Sequence, residues 1–228
     1  TLAKTALTGL ALNQITKSVN KSNNTATVDK GSIVSVNPST DNSIPVLYGK
    51  AYVNPILTDA QLTTDNKTMW YCLTLCEKTG NLMSTGAPSS ITFEAVYWND
   101  TLVNFQSDGI TVNHFSAEDG SIDDSPKGLI RIYCYNNGSS SPTMIKGYNA
   151  TNNNLAYNLF PQWTDAHTMN QLVFALVRID YNKDKNSTGL GNLQFKLSNT
   201  MSMPGDCLYD YMTNTRYGAG IPPEEINS

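Results

Sequence analysis

The chain has 228 residues, enough for one substantial core or two smaller ones, and only 15% of them are charged, 15 basic against 19 acidic for a net of -4. No run of Lys or Arg could displace several phosphate counterions, which argues against nucleic-acid binding. No stretch approaches the ~18 continuous apolar residues of a membrane helix and no basic-plus-apolar leader precedes a cleavage site, so no integral membrane segment is expected, and a soluble protein made inside the cell is.

Polarity comes from Asn, Thr and Ser instead of charge. Such side chains satisfy turns and interfaces without large desolvated charges, which suits an assembled particle and equally suits an Asn-rich genome. The four cysteines, Cys72, Cys76, Cys134 and Cys207, lie in apolar or aromatic runs. Cys72 and Cys76 miss the CxxC spacing, and His114 and His167 are far from them in sequence. A closed zinc site needs about four convergent ligands, so buried free thiols are the expectation.

Residues Ala3 to Val19 carry Leu7, Leu10, Leu12, Ile15 and Val19 at near-helical spacing, which predicts a short amphipathic helix that needs a partner. Residues 1–30 are read as this helix and a linker. From Ile33 the period becomes that of strands: Val34 and Val36 form one short run, and Ile44, Val46 and Tyr48 a cleaner one, with turn material between them. Gly49 ends or bends the second run. Ala51, Val53 and Pro55 begin an edge-like segment. Met69 to Cys76 is predicted as a strand, with Trp70, Cys72 and Thr74 on one face and Tyr71, Leu73 and Leu75 on the other, both partly buried.

Ile91 to Trp98 and Leu102 to Phe105 bracket Asn99-Asp100 as a hairpin. Asp108-Gly109 marks another turn. Leu129 to Tyr135, filled with branched and aromatic residues, is predicted as a central strand. The Asn149 to Asn154 run is expected to be exposed, with Tyr157, Leu159, Phe160 and Trp163 packing back after it. Asn170 to Tyr181 holds the longest apolar run and reads as a buried strand, and Leu193, Phe195 and Leu197 alternate as one more.

A helix then opens at Pro204, with Asp206 placed to meet its free amides and Leu208, Tyr211 and Met212 forming a face. Gly218 and Gly220 are expected to end it, and Pro222-Pro223 to prevent resumption. This sharp stop near residue 228 suggests a C-terminal continuation. The fold class is mainly β with short helices, an antiparallel β-barrel or sandwich. Residues 31–90 give its first part, 91–165 an inserted or second small β lobe, and 166–228 the return strands and C-terminal helix.

Two segments carry a family likeness. Ile44-Pro-Val-Leu-Tyr-Gly-Lys50 resembles an "IPVxYGxxxV" segment, and Cys207 to Gly220 resembles "LYDYLTNxRYGxG". Between them, Tyr71 to Glu77 and Ile91 to Asp100 resemble a strand followed by an "xxxIxxVxxND" hairpin, in the same order. These are features of the central tail tip and host-specificity (tail hub) proteins of long-tailed bacteriophages of the lambda type. Thr215 stands where that family often has Pro.

The resemblance implies β hub domains, a homotrimer closing the tail tube at the distal end of the virion tail, and contacts with distal tail or tube proteins. It also implies fibre or receptor-binding proteins as partners and assembly in the host cytoplasm. Local chemistry gives the motif residues roles: torsional freedom or close approach at Gly49 and Gly218, and an aromatic body with a polar tip at Tyr48, Tyr211 and Tyr217. Arg216 near a helix C-terminus can meet carbonyls or a carboxylate across an interface. Intrachain packing is the bland alternative for the same tyrosines.

No catalytic constellation is evident. Glu118, Asp119, Asp123 and Asp124 form the one acidic cluster, at spacing unsuited to calcium and expected to face solvent. No cofactor or metal is expected, and no enzyme activity. A carbohydrate-binding adhesin module is the competing reading, resting on the aromatic and Asn content from Tyr148 to Trp163.

Overall fold

The computed structural model describes residues 43–138, 163, 168–185 and 187–226. The expected helix at 3–19, the first short strand at 34–36, the Asn-rich run and Tyr157, Leu159 and Phe160 lie outside them.

Among the described residues, ten antiparallel strands form two sheets. The six-stranded sheet runs in the order β1 (Lys50–Val53), β10 (Leu193–Asn199), β4 (Ile91–Trp98), β5 (Thr101–Phe105), β6 (Val112–Ser116) and β7 (Ile122–Asp123). The four-stranded sheet runs β2 (Ile56–Leu62), β3 (Thr68–Glu77), β9 (Leu172–Asp180) and β8 (Ile130–Tyr135). Both sheets send side chains into one apolar cluster, where Leu73, Ile132 and Val177 meet Phe93, Val103 and Phe195. Neither sheet closes on itself, so of the two expected architectures the arrangement is sandwich-like and not a barrel. Residues 91–138, expected to open a second lobe, supply β4 to β7 beside β10 and supply β8 beside β9.

Strand β3 is the centre of the smaller sheet, and its sequence explains why. Tyr71, Leu73 and Leu75 enter the large core, while Trp70 and Cys72 join Phe174, Leu176, Tyr133 and Tyr135 in a second cluster on the opposite face. Alternation fails at one point: the register shifts between Thr74 and Cys76, and this bulge turns Cys76 into the large core beside Leu75. Tyr135 stacks on its register partner Phe174 at 4.5 Å, which fixes the outer cluster. Each fully buried Leu or Phe in these clusters stabilises the fold by roughly 1.5–3 kcal/mol.

The hairpin forms as expected. Asn99 and Asp100 take φ of 49° and 65°, the left-handed pair that a two-residue turn needs to match strand twist. Asp108 caps the next turn, its carboxylate accepting from the amides of Ile110 and Thr111 and from the Thr111 hydroxyl.

Three expectations need correction. Residues 44–48 make no strand, only a bridge from Val46 to Glu77. Pro45 has no amide to give a ladder, and the Leu47 carbonyl is taken by the Asn199 side chain at 2.7 Å. Strand β8 lies at the end of its sheet, not its centre. It is buried nonetheless, because residues 110–112 cover its outer side: the Ile132 amide donates to the Ile110 carbonyl at 2.9 Å, and Thr111 bridges to Arg131. Composition reports burial, and a covered edge is as buried as a centre.

The third correction concerns helix α1 (Pro204–Thr213). It starts with Pro in its first turn, as expected, but it ends before the glycines. Asn214 is extended at φ -70° and ψ 125°, and its side-chain oxygen accepts from the Arg216 amide at 2.9 Å. A single turn, α2 (Pro223–Ile226), follows. Among the described residues no helix is long and apolar enough to cross a membrane.

Candidate functional site

Helix α1 is turned against the usual rule for surface helices. Its buried residues are Asp206 and Asp210, one turn apart on one face, while Leu208 and Tyr211 are 61% and 52% exposed. The inward face therefore carries acid and the outward face apolar surface. Asp206 makes no capping bond to the helix amides. It accepts instead from the amide and hydroxyl of Ser84, both at 3.0 Å, in the loop after β3.

Asp210 joins the two segments that carry the family likeness. One carboxylate oxygen accepts from the Tyr48 hydroxyl at 2.8 Å and the Tyr217 hydroxyl at 2.7 Å, and the other accepts from the Gly80 amide at 2.9 Å. Three donors from three parts of the chain satisfy one buried carboxylate. Burial first, and then the Asp210 carboxylate, push both phenols well above their usual range, so each keeps its proton and donates.

Arg216 pairs with Glu77 at 2.9 Å within the same chain and also donates to the Asn170 carbonyl at 3.4 Å. It was expected to reach helix carbonyls or an interface carboxylate; the early end of α1 points it at β3 instead. Burial raises the Glu77 carboxyl above its ordinary range, and the Arg216 guanidinium pulls it back.

The two glycines have different reasons. Gly49 sits at φ +70°, a torsion that side chains disfavour, and there its amide donates to Met201 and its carbonyl accepts from Asn199. Gly218 is ordinary in torsion, but an added Cβ would overlap the Tyr211 carbonyl oxygen. The chain thus folds back on the end of α1, where the amides of Ala219 and Ile221 donate to the carbonyls of Tyr211 and Met212.

Of the six motif residues, Tyr48, Gly49, Arg216, Tyr217 and Gly218 serve intrachain contacts. Tyr211 alone points outward. It shares that side of α1 with Leu208, and the exposed Met203 sits at the helix entrance. Met83 is also exposed, next to the Ser84 that Asp206 holds.

Sequence reasoning missed Asp210, Gly80 and Asn199. Asn199 is a second buried crossroads, donating to the Leu47 carbonyl and the Thr79 hydroxyl while accepting from the Met201 amide. The available signal was the spacing of Asp206 and Asp210, which puts two acids on the face opposite Leu208 and Tyr211.

The remaining candidates are ordinary. Glu118, Asp119, Asp123 and Asp124 are exposed, and Asp119 and Asp123 cap turns at the amides of Ser121 and Ser125. Cys72, Cys76 and Cys134 are buried thiols, whereas Cys207 is half-buried; burial pushes Cys76 up to about 12. Trp163 is half-buried, packs on the outer cluster of the smaller sheet and donates to Asp59 at 3.2 Å, so its ring takes part in packing. Comparison with protein families, with curated proteins and with solved structures finds no match for this chain.

Proposed function

We propose that this chain is a structural subunit of a bacteriophage tail tip or baseplate hub, closing the tail tube and linking it to receptor-binding parts at the distal end of the virion tail. The observation that carries the reading is the convergence on Asp210 of the two segments that resemble the tail hub family, Tyr48 from one and Tyr217 from the other. A motif whose residues fix one another explains why both segments occur together in one chain.

On this reading the protein works mechanically and without catalysis. The partners are two further copies of itself, tube or distal tail proteins, and fibre or receptor-binding proteins. Subunit contact falls to the outward side of α1, where Tyr211 and Leu208 offer exposed aromatic and aliphatic area. Two experiments test the reading together: the native mass of the recombinant protein, and electron microscopy of virions labelled with antibody against it. A trimer, and label at the tail end, are expected. A monomer that labels no tail would refute it.

A further inference from the structure

Helix α1 is fastened to the sandwich by directional polar bonds, with Cys207, Tyr209 and Met212 only half-buried. No apolar residue of the helix is buried; only Asp206 and Asp210 are. The bonds that hold it lead to a small set of places. Asp206 binds Ser84 and Asp210 binds Gly80, both in the loop between β3 and β4. Asp210 also holds Tyr217, and the 214–221 turn bonds back to α1 through the amides of Asn214, Ala219 and Ile221. The loop is closed on itself, with the Leu82 amide on Ala87, the Gly86 amide on Leu82 and the Ser89 amide on Gly80. The links from this assembly back to the body include Tyr48 to Asp210, Arg216 to Glu77, and Asn199 to Thr79. Strands β3 and β9, in contrast, are buried along nearly their whole length.

Segments with few buried apolar contacts open at lower free energy than the core, and segments that share hydrogen bonds open together. We infer that α1, the 80–89 loop and the 214–221 turn form one latch that opens as a unit while both sheets stay folded. Losing either carboxylate from the helix frees donors in the loop, so the bonds that join the two parts are lost from both when either leaves. The inference is independent of the tail reading, since it concerns only how the chain opens.

Native-state hydrogen exchange on the intact protein, followed through sub-denaturing urea, tests it. The amides of α1, of Gly80, Leu82, Ser84 and Gly86, and of Ala219 and Ile221 should share one opening, roughly 100-fold more frequent than that of β3 and β9. Asp210→Asn should speed all of them together by roughly 10-fold and leave β3 and β9 unchanged. Tyr217→Phe gives a milder version of the same pattern, and the wild-type urea series stands alone if neither variant folds. Exchange of α1 no faster than that of β3 and β9, or loop and helix amides opening at separate urea concentrations, would overturn it.

Discussion

The space between the sheets and the clamp around α1 hold the molecule together by different means. Between the sheets, Phe93 meets Phe195 edge to face at 6.2 Å among side chains that are almost fully buried, and no single contact is decisive. At the clamp, one carboxylate takes three donors, and Leu208 and Tyr211 of the helix face outward. Burial is non-directional and spread over many residues, so it sets the fold; the clamp is directional and concentrated, so it sets where one segment sits and which surface it presents.

The sharpest contrast comes from emptying the core. Phe195→Ala should cost roughly 3–5 kcal/mol in urea unfolding, since a cavity forms where both sheets meet. That loss should be shared by every probe of the fold. Asp210→Ala should cost less, roughly 2–3 kcal/mol, because it strands two hydroxyls and an amide without opening the apolar interior. Its mark is regional: amide chemical shifts at Gly80 and Tyr217 should move while those of β9 remain.

Arg216→Ala brings pH into the comparison. A carboxyl raised in the folded state loses stability as pH rises through the interval between its unfolded and folded pKa values, because the unfolded chain gives up its proton first. Arg216 opposes that rise, so removing it widens the interval. The penalty, roughly 1 kcal/mol after solvent screening, should be full at neutral pH and fade as pH falls below the carboxylate range, where Glu77 is protonated in both states. A penalty that grows on acidification would contradict the assignment.

The smallest effect on stability belongs to the outward side of α1. Leu208→Ser combined with Tyr211→Ser should change stability by no more than about 0.5 kcal/mol, as expected for exposed positions. On the proposed function the same pair should lower the native mass of the assembly, measured by light scattering.

These contrasts also explain what could be read in advance. Strands β3, β9 and β10 and the 91–105 hairpin were legible because burial on one or two faces writes a period into the sequence, and Asn99-Asp100 tolerates the torsions of a tight turn. Residues 44–48 misled because Ile44, Val46 and Tyr48 alternate with no ladder behind them: the buried side chain there is Leu47, and its carbonyl is taken by Asn199. The end of α1 was misplaced because Gly218 is required for close approach to Tyr211 and not for a left-handed cap. Asp210 stayed hidden because its partners lie up to 162 residues away, and local pattern holds no record of such contacts.

The most direct measurement is a double-mutant cycle between Tyr48→Phe and Asp210→Asn, read by urea unfolding. The expected coupling is roughly 1–2 kcal/mol, the worth of a hydrogen bond to a charged, buried acceptor. Additive losses, with coupling within about 0.3 kcal/mol of zero, would mean that the two segments are neighbours in space and not one clamp.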